Sequence, residues 1–423
     1  MLFMDVSDEP IVHSKPKPEA VMDSEGVTWE ELLGSNDWEG LLDPLDHNLR
    51  KLILRCGDFC QVARDVFNND QCSKYCGFSR YGKADFFKKA EMDNSSDYVV
   101  SSFLYASARV SRREAFFVRS KSREACDRES NWIGYIATTS DEVSLRLGRR
   151  EIYIVWRGTE RKYEWVDELG AMQESIETLL PPEDDGRRDS KVPKVMRGWV
   201  SIYVTDDPNS PFMKLSARAQ LLMKIRELRE KHADEKLSII FCGHSLGASL
   251  AILSAFDLVA NGVRDIPVAA IVTGCPRVGN RAFREKYNSY PNLKALRVTN
   301  KMDAIPHYPS WMLGYIHVGT ELRIDTRKSP YLKNPKSLWD WHSWHNLQGI
   351  LHVVAGWNGE KGGFELKVER SIALVNKGGD FLKDECLVPA SWWVLKNKGM
   401  VRKEDGEWAL EAPELEDMLV PEF

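Results

Sequence analysis

Apolar residues recur along this chain in two rhythms, one helical and one suited to buried strands. Over 28–67, Leu45, Leu49, Leu52, Ile53, Cys56, Phe59, Val62, Ala63 and Val66 fall at helical spacing and predict a helical region. Thr28, with Glu31 three residues on, has the form of a capping box at its start. Three β-rich segments follow, at 99–106, 132–138 and 151–156, separated by charged stretches over 109–129 and 141–150 that read as loops. From 213 the pattern alternates. It predicts a helix over 214–232, a strand over 237–242, a helix over 246–260, a strand over 268–273, a helix or loop, and a strand over 293–299. Helices alternating with short, continuous apolar runs predict an α/β fold with a mostly parallel sheet and right-handed crossovers. No internal repeat is visible.

Composition narrows the function classes. The chain has 423 residues, 43% of them hydrophobic, enough for a sizeable core in one large domain or several smaller ones. A net charge of −5 gives no general basic field for nucleic acid. No stretch is long and apolar enough to span a membrane. Residues 1–26 carry Asp5, Asp8, Glu9, Glu19, Asp23 and Glu25, with three prolines between 9 and 19. They read as a disordered leader that matches neither a secretory signal nor an organellar transit peptide. The eight cysteines are too few for a disulfide scaffold of this length. Cys56/Cys60 and Cys72/Cys76 are each spaced i, i+4, which on a helix stacks two buried thiols rather than making a zinc pair. A reducing compartment fits. Residues 181–194 read as an exposed charged loop and 411–423 as a loose acidic tail.

The candidate chemistry centres on Gly243-His244-Ser245-Leu246-Gly247, a G-x-S-x-G pentad between the 237–242 run and the 246–260 helix. A pentad alone is equally a glycine-bounded turn. Here the flanks supply the strand and the small-residue helix that a nucleophile elbow needs, and the helix start offers N–H groups to a developing oxyanion. Such sheets place an acid after a later strand and a histidine after that. Asp303 lies just past the 293–299 strand, where these sites sit, whereas Asp257, Asp265, Asp325 and Asp340 fall on a helix, a turn or later loops. His307 and His317 follow Asp303 too closely. His342, His345 and His352 all remain open on position alone, and the spacing of the first two lacks the carboxylate that a zinc motif would bring.

Several blocks together carry a family resemblance. The pentad, Trp156-Arg157-Gly158-Thr159, residues 300–306 and His345-Asn346-Leu347 resemble the class 3 lipases. Trp132-Ile133-Gly134-Tyr135-Ile136-Ala137, residues 325–331, 352–359, 374–377 and 381–386 narrow the likeness to the cytosolic class of plant phospholipase A1. It spans about 28–407. The resemblance implies an α/β-hydrolase-like domain over 27–410, with a helical N-terminal segment and a C-terminal extension from 357. It implies Ser245 as nucleophile, Asp303 as the orienting acid and His345 as the base, with His352, at the far end of the same motif, as the second candidate. Thr159 and Leu246 are implied as oxyanion donors. Trp165, Leu169, Met172, Ile176 and Leu179 then form a helical apolar stripe directly after the oxyanion strand, as a lid over 160–195 would. Met196-Arg197-Gly198-Trp199 departs from the family, which often has a histidine before that Gly-Trp.

The expected reaction is hydrolysis of the sn-1 acyl ester of a glycerophospholipid through an acyl-enzyme, by a cytoplasmic enzyme acting at a membrane surface or micelle. It needs no metal or cofactor, and no calcium-loop motif is present. A monoacylglycerol or galactolipid acyl hydrolase would keep the same residues. A non-enzymatic lipase-like signalling protein would be expected to have lost some of them.

Overall fold

In the computed structural model, residues 26–107, 121, 131–159, 171–181, 192–208, 213–333, 335, 340–395, 400–402 and 408–410 are described. The core is a seven-stranded sheet. Its strands are β1 (Tyr98–Ala106), β2 (Asn131–Thr139), β3 (Arg150–Trp156), β6 (Leu237–His244), β7 (Val268–Thr273), β8 (Leu293–Asn300) and β9 (Thr320–Ile324), in that spatial order. β1, β2 and β3 pair antiparallel, and β3, β6, β7, β8 and β9 pair parallel, giving the mostly parallel sheet that the alternating pattern predicts. Two short strands, β4 (Gln173–Ser175) and β5 (Lys194–Met196), form a separate antiparallel pair.

The continuous apolar runs become the innermost strands because both faces are covered. On one face the helix Leu246–Ala260 is buried along its whole length; it packs with Ala217–Lys231 and Arg197–Val204 in one apolar cluster with the sheet. On the other face the helices His47–Asp65 and Leu347–Ala355 form a second cluster that includes Val375, Phe381 and Leu382 of the C-terminal extension. Arg50, buried in the first of these helices, donates to the Trp357 carbonyl at 2.8 Å and so ties the N-terminal segment to the end of the second.

Several expectations are corrected. Residues 28–67 form two helices, Trp29–Leu32 and His47–Asp65, because Asp46 caps the second one afresh. The Thr28–Glu31 capping box is present. The charged stretch over 141–150 is not all loop: Asp141–Leu147 is a helix capped by Ser140 and closed by Gly148, burying only Val143 and Ser144. Cys56 and Cys60 are buried together on a helix as expected, but Cys72 is exposed in a turn and does not stack on Cys76. The helical stripe through Met172, Ile176 and Leu179 is also overturned. Residues 171–181 contain β4 and a 3-10 turn, with Met172 exposed and Ile176 and Leu179 buried. The rest of the lid segment, 160–170 and 182–191, lies outside the described residues, as do 1–25 of the leader, most of the 109–129 loop and the 411–423 tail.

Candidate active site

The site lies at the carboxyl ends of β3, β6, β7 and β8. β6 ends at His244, and the chain enters the helix Leu246–Ala260 with Ser245 as the only residue between. Turning so sharply forces Ser245 to φ 59° and ψ −125°. That is a strained conformation for a residue with a Cβ, worth on the order of 1–3 kcal/mol. The elbow also needs a close helix–strand approach. A Cβ on Gly247 would stand 2.3 Å from the Trp156 carbonyl oxygen, so only glycine lets the helix start pass the end of β3. The Arg157-Gly158-Thr159 turn lies directly alongside, with the Gly158 Cβ position 3.8 Å from Ser245 Cβ. Leu246 opens the helix, and the first N–H groups of any helix have no intrahelical acceptor.

Asp303 is fully buried three residues beyond β8. One carboxylate oxygen accepts from the Ile305 N–H at 2.9 Å; the other accepts from Nδ1 of His345 at 2.5 Å. With Nδ1 holding that proton, Nε2 of a neutral imidazole is the basic nitrogen. His345 is itself 3% exposed, just before Asn346, which caps the helix Leu347–Ala355. The His345 ring packs against that of His244, with centroids 4.4 Å apart, which brings it beside the residue preceding Ser245. Ser245 N–H donates to the Thr273 carbonyl at 3.1 Å, and the next residue, Gly274, faces the imidazole. Ser245, Asp303 and His345 are therefore brought to one place.

His352 is not among them. Its Nε2 meets Ser329 Oγ at 2.9 Å, and its ring packs against Phe364. Burial, with Arg370 nearby, pushes its pKa down to about 4. His342 is exposed. His307 is exposed too, and His317 bonds the Pro306 carbonyl at 2.8 Å, its pKa driven down to about 3 by burial. The other carboxylates have structural partners. Asp257 is held by Arg218 and Tyr203, Asp265 by Arg229, and Asp325 by Arg327; Asp340 caps Ser343.

Three residues that position the histidine escaped the sequence reading. Asn300 Nδ2 donates to the Trp344 carbonyl at 2.8 Å, while Nε2 of His244 lies 3.1 Å from the His345 carbonyl and donates to it. The peptide groups on both sides of the His345 Cα are thus tied down. Burial, then the neighbouring His345, holds the His244 pKa well below the usual histidine value, so it remains a neutral donor. Gly274 is the third. At φ 59° it leaves the space where a Cβ would stand 2.6 Å from His345 Cε1. Its position at the end of β7, between Thr273 and Cys275, was the one available signal. A cleft of about 930 Å³ at the opposite end of the sheet, around Leu237 and Pro267, contains none of these residues. No group of three or more potential metal ligands occurs among the described residues.

The family model for "Lipase (class 3)" matches residues 153–313. Phospholipase A1-IIdelta of Arabidopsis thaliana is 57% identical over 412 residues, covering 94% of this chain and 99% of that one. Phospholipase A1-II 5 of Oryza sativa subsp. japonica is 50% identical over 399 residues, covering 93% and 84%. The chain belongs to the class 3 lipases. Among solved structures, the native Rhizomucor miehei lipase propeptide complex is similar at 20% identity and a TM-score of 0.38, over 63% of this chain and 67% of that one. The matched span of this class 3 lipase contains Ser245 and Asp303, and His345 lies beyond its end. Similarity to the two phospholipase A1-II relatives covers 93–94% of the chain and so extends well past the span matched by the family model.

Proposed function

We propose that this class 3 lipase is a phospholipase A1, hydrolysing the sn-1 acyl ester of glycerophospholipids through an acyl-enzyme. The Asp303–His345 hydrogen bond beside the strained Ser245 elbow is the observation that carries the reading. Ser245 Oγ attacks the ester carbonyl while His345 Nε2 takes its proton. Asp303 holds the imidazole in the required tautomer and stabilises the imidazolium that forms. The N–H groups of Thr159 and Leu246 receive the oxyanion, a contribution of about 3 kcal/mol per donor. The tetrahedral adduct collapses as His345 gives its proton to the departing lysophospholipid oxygen. Water, deprotonated by His345, then frees the fatty acid and restores Ser245.

The relatives' names support phospholipid as the substrate class. The same proposal places the protein in the cytoplasm: the seven cysteines among the described residues are free thiols, as a reducing compartment favours. No helix among the described residues is long and apolar enough to cross a membrane. Fractionation of cells expressing a tagged chain tests the location. The reaction is tested with phosphatidylcholine carrying different labels at sn-1 and sn-2, dispersed in detergent, with and without chelator. The sn-1 label should be released in both conditions. Release of sn-2 first, no release, or a loss with chelator that metal reverses would overturn it.

A further inference from the structure

We propose that Trp311, Met312 and Leu313, with Met172 beside them, are the surface by which this protein docks on a phospholipid bilayer. The inference rests on an acyl-lipid substrate and adds how the site meets it. These three consecutive side chains are 68%, 76% and 55% exposed, and Met172 is 59% exposed. The other large apolar side chains exposed among the described residues, such as Leu145, Met223 and Leu387, stand singly along the sequence rather than in a run. Gln173 Nε2 donates to the Leu313 carbonyl at 3.0 Å and Tyr315 Oη to the Ala171 carbonyl at 3.0 Å, so the two segments form one patch. A contiguous apolar patch marks a contact surface where isolated exposed residues do not.

Its position and rigidity point to a lipid surface as the occupant. The turn follows Asp303 by eight residues, so it belongs to the loop that supplies the acid of the site. It is held in shape: the Ser310 hydroxyl accepts from the Met312 N–H, Gly314 closes the turn at φ 82°, and Arg277 donates to the His307 and Pro309 carbonyls. An anchor already fixed in its bound form loses little conformational freedom on docking. An exposed tryptophan, apolar in its ring and polar at its N–H, is the side chain that settles best at the bilayer–water boundary. Arg197, whose N–H donates to the Met172 carbonyl at 2.9 Å, is exposed, and so is Glu174 on the strand beside them. With charge of both signs nearby, apolar insertion carries the contact and anionic lipid adds to it.

The test is cosedimentation with vesicles of ether-linked phosphatidylcholine, which present the headgroup without a cleavable ester, with and without anionic phosphatidylglycerol. Replacing Trp311, Met312 and Leu313 together by serine should lower vesicle affinity by about ten-fold or more on both compositions. Thermal unfolding and turnover of a water-soluble short-chain ester should stay near wild type. In a second measurement, bilayers of brominated lipid should quench part of the intrinsic fluorescence, and Trp311→Phe should remove that part. Wild-type affinity in the triple variant overturns the proposal. So does wild-type protein that ignores these vesicles, or a change from dimer to monomer with vesicle binding unaltered. Protein that docks through this turn yet releases no sn-1 acyl chain would sink the phospholipase reading and leave the docking surface standing.

Discussion

His345 and His352 stand at the two ends of one short segment, both almost wholly buried, and their surroundings set them apart. His345 precedes the cap of the helix Leu347–Ala355 and donates to a carboxylate, Asp303. His352, in the last turn, has the Ser329 hydroxyl as its hydrogen-bond partner among the described residues and lies between the rings of Tyr331 and Phe364. A carboxylate repays the charge that an imidazole gains on taking a proton; a hydroxyl does so poorly. Burial therefore keeps the His352 ring neutral, a packing element, whereas His345 has a buried carboxylate as its hydrogen-bond partner.

The sharpest way to break this comparison is by mutation of the reacting groups. Ser245→Ala and His345→Ala should each lower ester turnover by about 10⁴–10⁶-fold and abolish labelling by a fluorophosphonate, and the double variant should lose little more, since such residues act as a unit. Full labelling of Ser245→Ala would move the nucleophile elsewhere. Near-normal turnover in His345→Ala would reverse the assignment of the two histidines.

Gly274→Ala tests whether the space kept for His345 matters. A Cβ there would press on the His345 ring, 2.6 Å from Cε1. Turnover should fall by about 100-fold through displacement of the imidazole. Gly262→Ala is the control. It also has positive φ, 120°, but open space around the Cβ position, so its turnover should be unchanged. Equal activity in the two variants would mean that His345 tolerates the shift.

How much of this was legible in the chain follows the physics of each element. The helix Leu246–Ala260 and the strand Val268–Thr273 were bounded correctly because a continuous apolar run flanked by turns has few other folded outcomes. The β9 strand, Thr320–Ile324, alternates exposure at a sheet edge and gave a short, weak signal. The helix Asp141–Leu147 buries almost nothing, so its charges read as loop, and only the Ser140 cap and Gly148 stop betrayed it. The site divides the same way. Ser245 and Asp303 were placed by local pattern, one at an elbow and one past a strand end. The choice of His345 came from family likeness, because its pairing with Asp303 across 42 residues of chain is a product of tertiary packing. The ties from Asn300 and His244 to the backbone around His345 leave no sequence pattern at all.

Replacing His352 gives a smaller and different effect. His352→Ala removes a buried ring and takes one of its hydrogen-bond partners from Ser329, whose Oγ still accepts from the Tyr331 N–H at 3.3 Å. It should cost about 1–3 kcal/mol of stability while leaving turnover per folded molecule within a few-fold of wild type. A dead but well-folded variant would contradict the packing role.

The smallest predicted effect is a change in how stability responds to acid. The His352 pKa falls from 6.5 to about 4 on folding, through burial and then Arg370. Above pH 6.5 the residue is neutral in both states and its contribution is fully present. As pH drops below 6.5 the unfolded chain takes a proton that the folded chain refuses until about pH 4, so stability is lost across that window and levels off below it. By pH 5 the loss from this residue is about 2 kcal/mol, taking 1.36 kcal/mol per unit over 1.5 units. His244 and His317 are shifted in the same direction, so a variant lacking His352 retains an acid slope from them. His352→Gln keeps a polar group toward Ser329 and does not titrate. Its stability, read from urea unfolding at pH 7.5, 6 and 5, should therefore fall less steeply than that of wild type, and the two curves should converge toward acid. Parallel curves would mean that His352 is hydrated enough to take its proton in the folded state, and the contrast with His345 would then rest on hydrogen-bond partners alone.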